Sequence, residues 1–370
     1  MTPHQRLPAS LTPLDAALTA LLDALEPVPP TALPLHEALR CIAAEMPPLP
    51  ALPSHDIAAA DGFALRARDL VGASSYSPVP LAVAPVWVEA GEAIPGGSDC
   101  VLDSDFLDLS GPFPQAVAEA IPGQGVRRAG GDTAAGSSVV GAGRRVVARD
   151  LMIARAADIE RLMVRRPRVR IVNVPFGTLT ADMIADSART AGADVVLVAA
   201  PTRDAASIAA VLDVSRCDLL VVVGGSGVGR TDATVAALAT RGEVLAHGIA
   251  LRPGRTSVVG RIETTPVVVL PGAPDQAFAA WWTLVVPALD RLSGRRPRKT
   301  LKLPLARKIA SVVGIAEIAL LERKQGAWVP LAVGELSLDA IARADGWLAV
   351  SGGSEGFAAG ADVDAYMLRE

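Results

Sequence analysis

The sequence predicts a multidomain α/β protein. At its centre is a doubly wound, mostly parallel sheet, joined by an inserted β-rich lobe, a helical linker region and a small C-terminal β-barrel or sandwich. Three observations carry this reading. Between residues 167 and 294, short apolar runs alternate with helical segments, as successive βα units require. Between residues 49 and 140, brief apolar runs are broken by Gly, Pro and Asp, the texture of short strands and turns. Residues 217–232, CDLLVVVGGSGVGRTD, carry an unbroken apolar strand into a glycine-rich turn with a carboxylate shortly after it.

The bulk properties bound the possibilities. A chain of 370 residues holds several domains of roughly 100–200 residues each. A net charge of -4 argues against nucleic acid as the main partner. No apolar run approaches the roughly 18–20 residues of a membrane helix. The N-terminus has no basic segment leading into an apolar core, so a cytoplasmic location is expected. Cys41, Cys100 and Cys217 are far apart, and His4, His36, His55 and His247 are scattered. Neither a disulfide framework nor a zinc site is expected from such spacing.

The elements follow in order. Leu14, Leu18, Leu21, Leu22 and Leu25 recur at helical spacing until the prolines at 27, 29 and 30. Leu35, Leu39 and Ile42 begin a second helical pattern, closed by Pro47 and Pro48. Residues 144–164 read as helical again, through Leu151, Ile153, Ala154, Ala157 and Leu162. Residues 1–48 and 141–166 therefore form the expected helical linker domain, around a β-lobe at 49–140. The α/β domain, 167–294, is expected to hold strands at 169–174, 194–199, 219–223, 244–251 and 267–270. Its helices are expected at 182–191, 205–212, 233–239 and 275–292. The basic stretch 295–302 reads as a solvated linker. Residues 295–370 complete the chain as a β-domain, with strands in EIALLERK, AWVPLAV and GWLAVSGG.

In open α/β sheets, ligands sit at the carboxyl ends of the strands, and glycines there let backbone N–H groups approach an anion. Gly224, Gly225, Ser226, Gly227 and Gly229 are thus candidates to cradle a phosphate or another oxyanion; the alternative is a tight strand-to-helix turn. Arg252 and Arg255 suit oxyanions through their planar forks, or flank a Pro253-Gly254 turn in solvent. Asp232 suits a metal ion, or caps the next helix.

The motifs, in their order, match one family. Ala60-Asp61-Gly62-Phe63-Ala64 stands where a Met-Asp-Gly-Tyr-Ala element would follow a proline-rich turn. AGEAIPGGSDCVL and GVRRAGGDTAAGSSVVGAGRRV are similar to a Thr-Gly-Ala…Pro-x-Gly-x-Asp-x-Val element and an Arg-x-x-Gly-Glu-Asp element. GGSGVGRTD, LRPGRT and LPGAP are similar to Gly-Gly-Val-Ser-x-Gly, Lys-Pro-Gly-Lys-Pro and Pro-Gly-Asn-Pro. LDAIARADGWLAVSGG is similar to the family's C-terminal domain. Over nearly its whole length the chain resembles the molybdopterin molybdotransferases, the enzymes that insert molybdenum into molybdopterin.

The resemblance implies a reaction and a site. Adenylylated molybdopterin and molybdate are the substrates, Mg²⁺ is the metal, and AMP is released. Asp61, Asp132 and Asp232 are the implied catalytic carboxylates, with Asp232 on the metal. The glycine loop, Arg252, Arg255, Pro271, Gly272, Pro274 and Arg128 are the implied substrate contacts. The residues also allow plainer roles: a turn at Asp61, a cap at Asp132, a surface charge at Arg128, and a loop at Pro271, Gly272 and Pro274. The resemblance further implies an elongated homodimer, and a recipient molybdoenzyme or assembly factor for the finished cofactor.

The sequence departs from the family at polar positions. Val174-Pro175-Phe176-Gly177-Thr178 replaces a Thr-Gly-Asp-Glu turn and brings no carboxylate. Ala90, Gly131, Gly227 and Ala273 stand where Thr, Glu, Ser and Asn belong, with Ser226 one place early, and both lysines are arginines. A second function therefore stands beside the first: a non-catalytic carrier of molybdopterin or the finished cofactor, or an assembly protein.

Overall fold

The computed structural model describes residues 5–23 and 25–368, so His4 lies outside the described residues. Two compact units emerge. One comprises Met1–Glu45, Ala142–Val147 and Arg161–Glu370, and the other Met46–Gly141 and Ala148–Glu160.

The first unit is built on a six-stranded sheet in the order Asp194–Ala199, Arg168–Asn173, Leu219–Val223, Thr265–Leu270, Val258–Ile262, Glu243–His247. The first four strands are parallel, and the last two run antiparallel at one edge. Strand Leu219–Val223 is buried at every position, because helices cover both faces. Leu219, Val221 and Val223 pack on the side of the helices Leu179–Thr190 and Pro274–Ala280. Leu220 and Val222 pack on the side of Ala205–Val211 and Thr234–Arg241. Each such side chain contributes about 1.5–3 kcal/mol when fully buried. Strand order reverses beside Arg168–Asn173: the chain adds its second strand on one flank and its third on the other. That reversal opens a crevice at the carboxyl ends of Arg168–Asn173 and Leu219–Val223.

A second sheet in this unit has the order Thr12–Pro13, Ile249–Arg252, Ala316–Lys324, Gly346–Val350, Asp362–Met367, Thr300–Pro304, with Ala327–Val333 pairing to Ala316–Lys324. Trp328 is fully buried in its core, and its indole N–H donates to the Leu301 carbonyl at 3.2 Å.

The second unit holds small antiparallel sheets. Gly62–Leu65 lies between Val86–Val88 and Cys100–Leu102, and Gln115–Ala116 between Val79–Pro80 and Leu107–Asp108. The three cysteines are buried and free, and burial pushes the Cys100 and Cys217 thiols up to about 11.

Four local expectations are corrected. The second N-terminal helix is only Leu35–Ala38, because Arg40 turns left-handed and Ile42–Ala43 enters a strand. Residues 144–164 are helical only over Ala148–Ala156; Asp158 turns left-handed, and Arg161–Arg165 is a strand that buries Leu162 and Val164 at a period of two. Residues 244–251 are two strands in two sheets, parted at Gly248, whose φ of 82° lets the chain turn. The long helix 275–292 contains a π-turn, Trp281–Val285, before Val286–Ser293. Pro287 has no N–H to give to the preceding turn, and the wider turn absorbs the missing bond.

Candidate functional site

The carboxyl end of Leu219–Val223 delivers residues 224–232 into the crevice. Two glycines there are closely approached by side chains. At Gly225, φ is 68° and a Cβ would lie 2.3 Å from Thr234 Oγ1. At Gly227 a Cβ would lie 2.7 Å from Asp232 Oδ2.

The loop's carbonyls are held from the protein side. Thr234 Oγ1 donates to the Gly224 carbonyl at 2.9 Å, and Thr234 N–H to the Gly225 carbonyl at 3.1 Å. His247 Nε2 donates to the Ser226 carbonyl at 3.1 Å. The Gln5 amide donates to the Gly227 carbonyl at 2.6 Å, and its oxygen accepts from Val235 N–H at 3.2 Å. Among the described residues, the N–H groups of Gly225, Ser226, Gly227 and Val228 have no partner. Gly225 and Ser226 are buried. An unsatisfied buried donor costs about 1–3 kcal/mol, which applies to Gly225 and Ser226, while Gly227 is half-buried and Val228 exposed. A series of free main-chain N–H groups is the chemistry of an anion site.

Asp232 lies beneath this loop. Its Oδ2 accepts from Gly229 N–H at 2.9 Å, and its Oδ1 from Arg203 Nη2 at 2.9 Å. Arg203 also donates to the Pro175 carbonyl at 2.9 Å and to Thr231 Oγ1 at 3.1 Å, with its guanidinium 5.5 Å from the Phe176 ring centroid. Asp232 does not cap the following helix; Ala233 holds that position.

These residues do not fit a resident Mg²⁺. Both oxygens of Asp232 already accept, one of them from a cation. Unit charges 4 Å apart interact by about 4 kcal/mol at an effective dielectric near 20, and a dication would meet Arg203 with twice that repulsion. Among the described residues, no three His, Cys, Asp or Glu side chains come together as a metal-ligand group.

The remaining expected residues divide. Gly272 comes to the loop, since a Cβ on it would lie 3.7 Å from Gly224 Cα, and its carbonyl accepts from Thr180 Oγ1 at 2.7 Å. Pro271 is buried beside it, and Pro274 opens the helix Pro274–Ala280. Arg255 is exposed, and Thr256 next to it accepts from Ser226 Oγ at 3.5 Å. Arg252 is committed elsewhere, to Glu317 at 3.4 Å and Glu335 at 3.0 Å. Asp61, Arg128 and Asp132 belong to the second unit. There Asp61 accepts from Ala90 N–H at 2.8 Å, Arg128 pairs with Asp56 at 3.5 Å, and Asp132 pairs with Arg127. Gln5, Arg203, Thr234 and His247 were not singled out from the sequence. Only Arg203 carried a signal, as a lone cation just past a strand's carboxyl end.

His247 gives the loop a pH dependence. Burial lowers its pKa from the ordinary 6.5, only partly opposed by the bond to Ser226. Folding therefore favours the neutral ring. The contribution is fully present above pH 6.5 and is lost as pH falls through the lower folded-state value. Thermal melts should show stability falling below pH 6.5, and His247→Gln, an amide donor that does not titrate, should flatten that part of the profile. An unchanged profile in His247→Gln would assign the dependence to other groups.

Comparison with known proteins agrees with this architecture. Residues 12–157 match the MoeA N-terminal region (domain I and II), and residues 179–291 match a probable molybdopterin binding domain. The chain is 30% identical over 286 residues to molybdopterin molybdenumtransferase 2 of Mycobacterium tuberculosis, covering 66% of this chain and 70% of that protein. It is 28% identical over 324 residues to the molybdopterin molybdenumtransferase of Haemophilus influenzae, covering 77% and 79%. A crystal structure of a molybdopterin biosynthesis MoeA protein from Pyrococcus horikosii superposes with a TM-score of 0.75 at 26% identity, covering 98% of this chain and 100% of that one. With its multidomain α/β fold and its glycine-rich loop at the sheet's switch point, the chain belongs to the molybdopterin molybdotransferase family, enzymes of molybdenum cofactor biosynthesis.

Proposed function

We propose that the protein inserts molybdate into adenylylated molybdopterin and releases AMP. The observation that carries this reading is the loop Gly225–Val228, with its N–H groups unpaired and its carbonyls held from behind. Such a cradle suits a phosphate of the adenylylated pterin, and preorganised donors of this kind are worth most where charge develops during reaction. Arg255, exposed and adjacent, suits the molybdate dianion or a second phosphate. The test is a turnover assay with adenylylated molybdopterin and molybdate, following AMP release and active cofactor together. Coupled release supports the reading.

The turn after the first strand favours a second reading, a non-catalytic carrier or assembly protein. It presents Phe176, 92% exposed, and no carboxylate. Tight binding of the pterin without AMP release in the same assay would select it. In either case the cofactor passes to a recipient molybdoenzyme or assembly factor.

The functional form is a homodimer. Within the first unit, Leu14, Leu18, Leu179, Met183 and Phe278 border a groove of about 1550 Å³, and Leu179 is 67% exposed. Apolar patches of this kind mark association surfaces. Light scattering on the native chain should give a dimer, and the double variant Leu18→Glu, Leu179→Glu a monomer. A native chain that is monomeric at micromolar concentration would remove this part of the proposal.

A further inference from the structure

We infer that Arg203 takes the place of a divalent cation at the phosphate site, so that this chain binds its diphosphate-containing ligand without Mg²⁺. The inference rests on the function proposed above and concerns what neutralises the ligand's charge.

The Mg²⁺ that the resemblance implies disagrees with the residues of this site. Asp232, the acidic residue around which the glycine loop folds, has both oxygens engaged, one of them by a cation. One oxygen accepts from Gly229 N–H and the other from Arg203. The turn Val174–Thr178 next to it contributes no carboxylate. Its Pro175 carbonyl, which could face a cation, accepts from Arg203 instead at 2.9 Å. An anionic oxygen and a neutral one, both of the types that magnesium favours, thus converge on a guanidinium.

Arg203 is also placed to act. It enters from the turn after strand Asp194–Ala199, which flanks the crevice on the far side of Arg168–Asn173. Through Asp232 it is two hydrogen bonds from Gly229 of the loop. Its side chain is 25% exposed. Three of its five N–H groups are bonded to Thr231, Pro175 and Asp232, which leaves two for a ligand. The Phe176 ring beneath the guanidinium adds a further restraint. An arginine so fixed is a preorganised cation whose fork suits phosphate oxygens. A dication would need the same oxygens, so arginine and metal are alternatives at this position.

ADP serves as the probe, a nucleoside diphosphate carrying the same phosphoanhydride as the adenylylated pterin. Binding to the full-length protein is measured by titration calorimetry in EDTA and again in excess Mg²⁺. The inference expects the same affinity in both. It expects Arg203→Gln to weaken binding at least about tenfold, the value of one charged hydrogen bond, and Arg203→Lys to recover part of it, with neither variant rescued by Mg²⁺. Thermal melts accompany both variants; if Arg203→Gln does not fold, the metal titration of the native protein and Arg203→Lys still decide. Binding that requires Mg²⁺ overturns this inference and leaves the proposed function standing. Metal-independent binding that Arg203→Gln does not change overturns the role of Arg203. Absence of ADP binding in both buffers overturns the inference and the phosphate-loop reading together.

Discussion

Gly225→Ala will abolish ligand binding at the loop. The substitution meets two independent obstacles. With φ at 68°, a non-glycine residue carries about 1–2 kcal/mol of backbone strain. The new Cβ would also stand 2.3 Å from Thr234 Oγ1, closer than any real contact. Thr234 is fully buried and its hydroxyl holds the Gly224 carbonyl, so it cannot move aside without freeing that carbonyl. The loop must therefore rearrange, and its aligned N–H groups go with it. Loss of one such donor typically lowers kcat by about 10²–10³, and several are lost together here. Gly177→Ala is the control. Its φ is 93°, yet nothing lies within 4 Å of the added Cβ, so only strain applies. Binding and turnover of the two variants separate the causes: equal losses would mean that close packing against Thr234 is not what shapes the loop.

Asp232→Ala will destabilise the same site by a different route. The change leaves Arg203 without its counter-charge and Gly229 N–H without an acceptor. Breaking a fully buried pair costs about 3–5 kcal/mol. Here the side chains are 16% and 25% exposed, and solvent reduces the loss to about 1–3 kcal/mol. A fall in Tm of several degrees follows. Asp232→Asn keeps an acceptor for Gly229 while removing the charge, and will fall between the native protein and Asp232→Ala. Melting curves that do not distinguish Asp232→Ala from the native protein would show that the pair contributes nothing to the loop.

The α/β class was legible in the residues alone, because buried parallel strands must be continuous apolar runs. Strands at 194–199 and 219–223 were legible to the residue, and Leu219–Val223 is buried throughout, as its composition demands. The glycine loop was legible for the same local reason: glycine suits the left-handed conformation at Gly225 and lets Asp232 approach Gly227 closely. Where a pattern was short or equivocal, tertiary pairing decided. The run at 244–251 carries one apolar texture, but Gly248 divides it between two sheets.

The site's chemistry was settled above all by topology. Gln5 reaches Gly227 across 222 positions, Arg203 reaches Asp232 across 29, and Arg252 is drawn to Glu317 across 65. No spacing rule connects such residues, since helix and strand periodicities relate only near neighbours. They meet because right-handed crossovers bring the carboxyl ends of neighbouring parallel strands to one edge of the sheet. Residue types and local backbone thus determined the glycine-rich turn after Leu219–Val223. Only the folded chain decided that Arg203 stands against its Asp232 carboxylate.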